Sequence, residues 1–138
     1  IIMKKLIQLN ELEQCPCFNL RKMARELTND YNNSLKLTGI NSTQIPILAI
    51  LNIYDQLGTT KIAGMLDLET STIRRNLAIL INKGLIKIIK KNSNGNLFCL
   101  AEDGFNKLKE TLPIWRKSHK EGVKKIQNFR KVLKRVSS

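Results

Sequence analysis

Two adjacent arginines, Arg74 and Arg75, stand in the stretch STIRRNLAILINKG, residues 71–84, which opens on hydroxyls and closes on a glycine. An arginine guanidinium is a planar fork of donors that pairs bidentately with O6 and N7 of guanine. Ser71 and Thr72 can bind a phosphate, because free backbone N–H groups at a helix start add to the attraction. Asn76 lies beside them. A turn-rich step later, KIIKKNSNGN brings Lys87, Lys90 and Lys91 toward a tip of small polar residues that includes Asn94. Such a tip can approach a minor groove or its phosphates closely. Each phosphate neutralised adds affinity that is independent of sequence and falls with salt. The bland alternative for all these charges is a solvated face. Their placement decides between the two readings.

The formal net charge is +13 in 138 residues, while hydrophobic content (42%) and charged content (25%) are ordinary for a globular chain. A charge of that size attracts polyanions, nucleic acid first and an anionic membrane second. The longest apolar run, IPILAILNIY, is too short to span a bilayer and contains Pro46 and Asn52. The opening IIMKKLIQLNELEQ shows no sustained apolar stretch and no small-residue cleavage site, so no membrane partner and a cytoplasmic location are expected.

Other chemistry is sparse. No Ser/His/Asp set, paired carboxylates or Gly-rich phosphate loop can be drawn, so no enzyme and no cofactor is expected. One histidine and three scattered cysteines do not give a zinc ligand set, and no metal is expected. His119 reads as a packing residue, and Cys99 as an inert strand thiol. CPC at residues 15–17 is ambiguous. With Pro16 at a first helical position, Cys17 falls in a first turn, where the helix dipole favours thiolate. Redox sensing at Cys17, with Cys15 beside it, stands level with plain packing.

The elements that position these residues follow from spacing. Leu6, Leu9 and Leu12 fit a short helix or a frayed arm. Leu20, Ala24, Leu27, Tyr31 and Leu35 form one face of a helix that Gly39 ends. Asn41 and Gln44 resemble a capping box for a helix carrying Ile45, Leu48, Leu51, Ile53 and Tyr54 inward, and Gly58 stops it. Pro46 predicts a late or bent start to that helix. Thr59 or Thr60 caps KIAGMLDL, with Ile62, Met65 and Leu66 inward and Ala63 and Gly64 at a close helix contact. Glu69 or Thr70 caps the arginine helix, which turns Ile73, Leu77, Leu80 and Ile81 inward and Ser71, Arg75, Ala78 and Asn82 outward. LIKIIK and LFCLA flank an Asn-Gly turn and form a hairpin. This is a winged helix-turn-helix. Beyond it, Phe105, Leu108, Leu112, Trp115, His119, Val123, Ile126, Phe129 and Leu133 make a helical stripe too long for a small domain to cover, with Pro113 and Gly122 as bend points. Such a seam asks for a partner helix, most simply from a second copy of the chain. The basic residues of the tail fall on the wet side of that helix.

CFNLRKMARELTNDYNNSLKLTGINSTQ, STIRRNLAILINKGLI and AEDGFNKLKETLPIWRK, taken in order, resemble the MarR family of bacterial transcriptional regulators over about residues 15–120. The resemblance implies a mainly α fold with a small β-hairpin wing, in which a winged helix-turn-helix is joined to N- and C-terminal dimerisation helices. It implies one domain over 1–138, with a DNA-binding core near 42–100 and dimerisation helices near 15–38 and 102–136. It also implies a homodimer on a pseudo-palindromic operator in double-stranded DNA, acting as a repressor by occlusion and released by a small anionic or phenolic effector or an oxidant. Ser71, Thr72, Arg74, Arg75 and Asn76 match the family's recognition helix, and Lys90, Lys91 and Asn94 its wing. The usual wing Asp and Arg are replaced here by lysine and asparagine. Cys17-Phe18 with Tyr31 is similar to the organic-hydroperoxide-sensing branch, but Arg21 and Ser42 stand where that branch carries two further tyrosines. Two other readings remain open: a thiol switch defined by Cys17, and a winged-helix module that binds RNA or protein.

Overall fold

The computed structural model describes residues 1–136, with all side chains except those of Asn92 and Val136. A short helix α1 (Leu9–Glu13) leads to α2 (Pro16–Leu35), whose Pro16 stands at the first position behind Cys15 as N-cap. The inward face of α2 is narrower than its spacing predicts. Leu27 and Tyr31 are half-buried and Leu35 is buried, but Leu20 and Ala24 are exposed, because the first turns of α2 project beyond the core. A 3₁₀ turn, Lys36–Thr38, carries the chain to Gly39, whose φ of +81° suits a residue without Cβ.

The capping box forms. Asn41 Oδ1 accepts the Gln44 N–H at 3.1 Å, and Gln44 Oε1 accepts the Asn41 N–H at 3.2 Å. The regular helix α3 (Gln44–Tyr54) starts late, as Pro46 requires, so the proline falls in the first turn where its missing N–H has no intrahelical partner to lose. Ile45, Ile47, Leu48 and Leu51 are buried. Ile53 and Tyr54 are exposed, contrary to the predicted face, since Ile53 lies across the helical wheel from Leu48 and Leu51. Asp55 then takes φ +63° and ψ −54°, and the Gln56 N–H reaches the Tyr54 carbonyl at 2.7 Å. That is a γ-turn of the rare, strained hand.

Strand β1 (Leu57–Gly58) is too short to register as an alternating pattern. It pairs antiparallel with β3 (Gly95–Leu100), Leu57 opposite Phe98, so the expected two-stranded hairpin is a three-stranded sheet of order β1-β3-β2, with β2 spanning Ile86–Asn92. Helix α4 (Thr59–Leu66) buries Ile62 and Ala63. Met65 and Gly64 are exposed instead of inward, and no atom stands within 4 Å of where a Gly64 Cβ would be, so the expected close contact there is not made.

Helix α5 (Thr70–Asn82) has Glu69 as N-cap and buries Ile73, Leu77 and Leu80. It closes on Gly84, at φ +74°, with Gly84 N–H to Ile81 O at 2.9 Å and Leu85 N–H to Leu80 O at 2.9 Å. This crossed pair is a Schellman motif. The hairpin turn is Ser93-Asn94, one residue earlier than the Asn-Gly pair, and Gly95 follows it at φ +112°.

Helix α6 (Glu102–Val136) runs unbroken through Pro113 and packs on α2, α3 and β3. Its start is clamped to the hairpin base, where Ala101 donates to the Leu85 carbonyl at 3.0 Å and Gly104 lies directly against that same carbonyl. Thr111, fully buried, satisfies its hydroxyl on the Lys107 carbonyl at 2.9 Å. An ion pair, Lys125 to Asp30, joins α6 to α2. Of the long stripe, Leu108 is buried and Leu112 and Trp115 are half-buried, whereas Phe105, Val123 and Ile126 are exposed. His119 is exposed and stacks on Trp115 with ring centroids 5.3 Å apart.

Candidate nucleic-acid interface

Helices α4 and α5 and the wing meet around an open cleft of about 590 Å³. Arg74 lines it from α5, Thr59, Thr60 and Lys61 from the start of α4, and Asn94 to Asn96 from the wing tip. Leu77, Ile88 and Phe98 form its apolar floor. The cleft is thus apolar at its base and rimmed with cations, hydroxyls and amides. A helix start, an arginine and a polar hairpin tip share one mouth.

Ser71 and Arg75 are exposed on α5, as the wheel predicts. Thr72 is half-buried, and its hydroxyl accepts from Arg75 Nη2 at 3.4 Å, which lays that guanidinium along the helix. Asn76 differs from its neighbours. It is half-buried, its Nδ2 donates to the Thr72 carbonyl at 2.9 Å, and its Oδ1 accepts from Gln44 Nε2 at 3.4 Å. Both ends of the Asn76 amide are therefore turned to the protein and not outward to solvent.

The structure also separates the wing lysines. Lys87 stands opposite Cys99 in the register, and both line a different hollow on the back of the sheet with Ile89 and Phe105. The structure does not bring Lys87 to the cleft. A β-bulge between Ile88 and Lys90 resets the alternation, so that Lys90 opposes Leu97 and Lys91 opposes Asn96, the residue on the cleft side. Asn94 is exposed at the tip.

Thr59, Thr60, Lys61 and Asn96 were missed in reading the sequence for chemistry. Paired threonines and a lysine at the start of the first helix of a helix-turn-helix would have marked them, because that helix crosses the nucleic-acid backbone. Cys15 is half-buried at the cap of α2, and Cys17 is exposed in its first turn. Among the described residues no group of three or more His, Cys, Asp or Glu is placed to hold a metal ion, and no helix is long and apolar enough to cross a membrane.

Neither a protein-family profile nor a curated protein matches the sequence. Solved structures do match the fold. The Mycobacterium tuberculosis transcriptional regulator MosR in complex with DNA superposes with a TM-score of 0.70 at 21% identity, over 89% of this chain and 96% of that one. The transcriptional repressor CouR bound to a DNA duplex gives 0.75 at 16% identity, over 96% and 97%. A mutant MarR from E. coli complexed with operator DNA gives 0.73 at 18% identity, over 96% and 99%. The fold is of the MarR type. Within that fold, α3, α4 and α5 with the sheet form the winged helix-turn-helix, and α1, α2 and α6 flank it.

Proposed function

We propose that this chain is a sequence-specific DNA-binding transcriptional regulator, a homodimeric repressor, with α5 reading the major groove of a pseudo-palindromic operator. The observation that carries the reading is the shared mouth of α4, α5 and the wing. A helix in the major groove needs donors toward base edges, supplied by Arg74 and Arg75. It needs phosphate anchors on both sides, supplied by Ser71, Thr59, Thr60 and Lys61 and by Lys90, Lys91 and Asn94 at the wing. The net charge of +13 draws the duplex in over a distance. Lys87 and Asn76 fall outside the direct contact set, the first by facing the back of the sheet and the second by its internal bonds.

The dimer reading is supported by apolar surface with no cover. Leu6, Leu9 and Leu12 near the N-terminus and Val123, Ile126 and Val132 along α6 are exposed in one subunit. A second copy burying these two sets together is the partner the reading requires, and binding two half-sites needs its two α5 helices about one helical turn of DNA apart. Release by a small anionic or phenolic effector is supported by a separate cleft of about 480 Å³ where α2 meets α3, lined by Leu27, Tyr31, Ser42, Pro46 and Trp115. Burial pushes the Tyr31 phenol up, so it stays a neutral hydroxyl able to donate at pH 7. Exposure of Cys17 favours a second trigger, oxidation of that thiol.

Selection from a random duplex pool, followed by binding measurements on the selected sequence and on a random duplex, tests the reading. Arg74→Ala and Arg75→Ala each lose about 1–3 kcal/mol on the selected sequence and far less on the random one. A chain that remains monomeric, or that prefers structured RNA to any duplex, overturns it. Peroxide treatment with thiol counting tests the oxidant trigger, which fails if operator affinity survives full oxidation of Cys17.

A further inference from the structure

We propose that Gln44 is a positioning residue for the recognition helix, fixing the rotation of α5 through Asn76. The proposal rests on the DNA-binding reading above. Gln44 is a polar side chain only 4% exposed, and both ends of its amide are engaged. Its Oε1 accepts the Asn41 N–H at 3.2 Å, and its Nε2 donates to Asn76 Oδ1 at 3.4 Å. Asn76 cannot turn its amide over freely, because its Nδ2 is held by the Thr72 carbonyl at 2.9 Å. Thr72 in turn receives Arg75 Nη2 at 3.4 Å. A chain of polar contacts therefore runs from the start of α3, across 32 residues of sequence, to a guanidinium proposed to read bases. On its other side the same α3 turn is tied to α2, where Asn32 Oδ1 accepts the Ser42 N–H at 2.8 Å.

The physical reason for such a link lies in what else holds α5. Its buried face is Ile73, Leu77 and Leu80, and α5 packs mainly on α4 and β2. Apolar contact is non-directional, so it fixes depth better than rotation. An amide pair with one member buried is directional and costly to leave unpaired, so it fixes the remaining angle. Base readout depends on that angle, whereas phosphate attraction hardly does.

Two variants test the link. Gln44→Glu keeps the acceptor for the Asn41 N–H, and so the cap of α3, but removes the donor and sets carboxylate oxygen against Asn76 Oδ1. Asn76→Leu removes the other partner at similar volume. Both, with the double variant, are titrated with the duplex selected by the unaltered protein and with a random duplex of equal length. Amide hydrogen exchange at residues 72–76 is followed in the free proteins. We expect each single variant to lose roughly tenfold in the ratio of selected to random affinity, with random affinity and salt slope unchanged. Exchange at residues 72–76 should quicken in both, and the double variant should lose no more than either single one. Unaltered selectivity and exchange in both single variants overturn the proposal, as do losses that multiply in the double variant. If the unaltered protein selects no duplex, the DNA-binding reading fails, and exchange in the free variants alone decides whether Gln44 positions α5.

Discussion

Replacing Gly104 by alanine puts a methyl group where the hairpin base already stands. A Cβ there would lie 1.9 Å from the Leu85 carbonyl oxygen and 2.8 Å from its carbon. Carbon and oxygen settle at about 3.3 Å or more, so the start of α6 must retreat by over about 1 Å. The obstacle is backbone, which cannot swing aside as a side chain would. The retreat opens the bond from Ala101 N–H to that same carbonyl and loosens Leu85 and Leu108, both buried at the junction. Overpacking costs about 1–3 kcal/mol and a buried group left unpaired about as much again, so we expect a loss of roughly 3–5 kcal/mol. Against a total stability of about 5–15 kcal/mol, that lowers the melting midpoint by roughly 10 °C or more. Gly64→Ala is the internal control. No atom lies within 4 Å of its Cβ position, it sits inside α4, and its backbone does not need glycine. Gaining helix propensity there should raise stability by about 0.5–1 kcal/mol. Thermal and urea unfolding at one protein concentration reads both. A Gly104→Ala protein that melts within two or three degrees of its parent, or a Gly64→Ala protein that falls as far, would refute the packing argument.

Other outcomes follow from single features. Asp55→Gly relieves a positive φ and should hold or raise the melting midpoint, while Asp55→Val, with a branched side chain at the same φ, should cost about 1–3 kcal/mol in urea unfolding. Lys61→Ala should reduce the slope of log affinity against log salt by about 0.9, with discrimination between duplexes kept, as read by titration at several salt concentrations. The hydrogen bond to Asp30 raises the pKa of Lys125 above its ordinary 10.5, so the stability it contributes is full below that value and disappears as pH rises through the raised one. Lys125→Met should accordingly change little at pH 7 and flatten the decline in melting temperature above about pH 10.5.

What the sequence disclosed and what it hid divide along physical lines. Helix α5 was legible nearly to its bounds because its signals are local: an apolar face at helical spacing, a start at Glu69 or Thr70 and a left-handed glycine at 84. The capping box at Asn41 and Gln44 was legible for the same reason, but the second job of Gln44, its bond to Asn76, joins positions far apart in the chain and leaves no periodic trace. Strand β1 is two residues long, below any alternation. The facing of Lys87 was hidden by pairing, since a strand's inward side is set by its neighbour's register, and the bulge at Ile88 and Lys90 shifts that register midway. Nothing local marks Gly104, because the Leu85 carbonyl that stands against it comes from the far side of the hairpin.

At 35 residues, α6 is a rod about 50 Å long, pinned near one end by the clamp on Leu85. A rod so mounted amplifies. Tilting it by about 4° around that pivot carries the far tip some 3.5 Å, close to the rise of one base along a strand. Read in reverse, a displacement of some 3.5 Å at the far tip arrives at the pivot as a rotation of only about 4°.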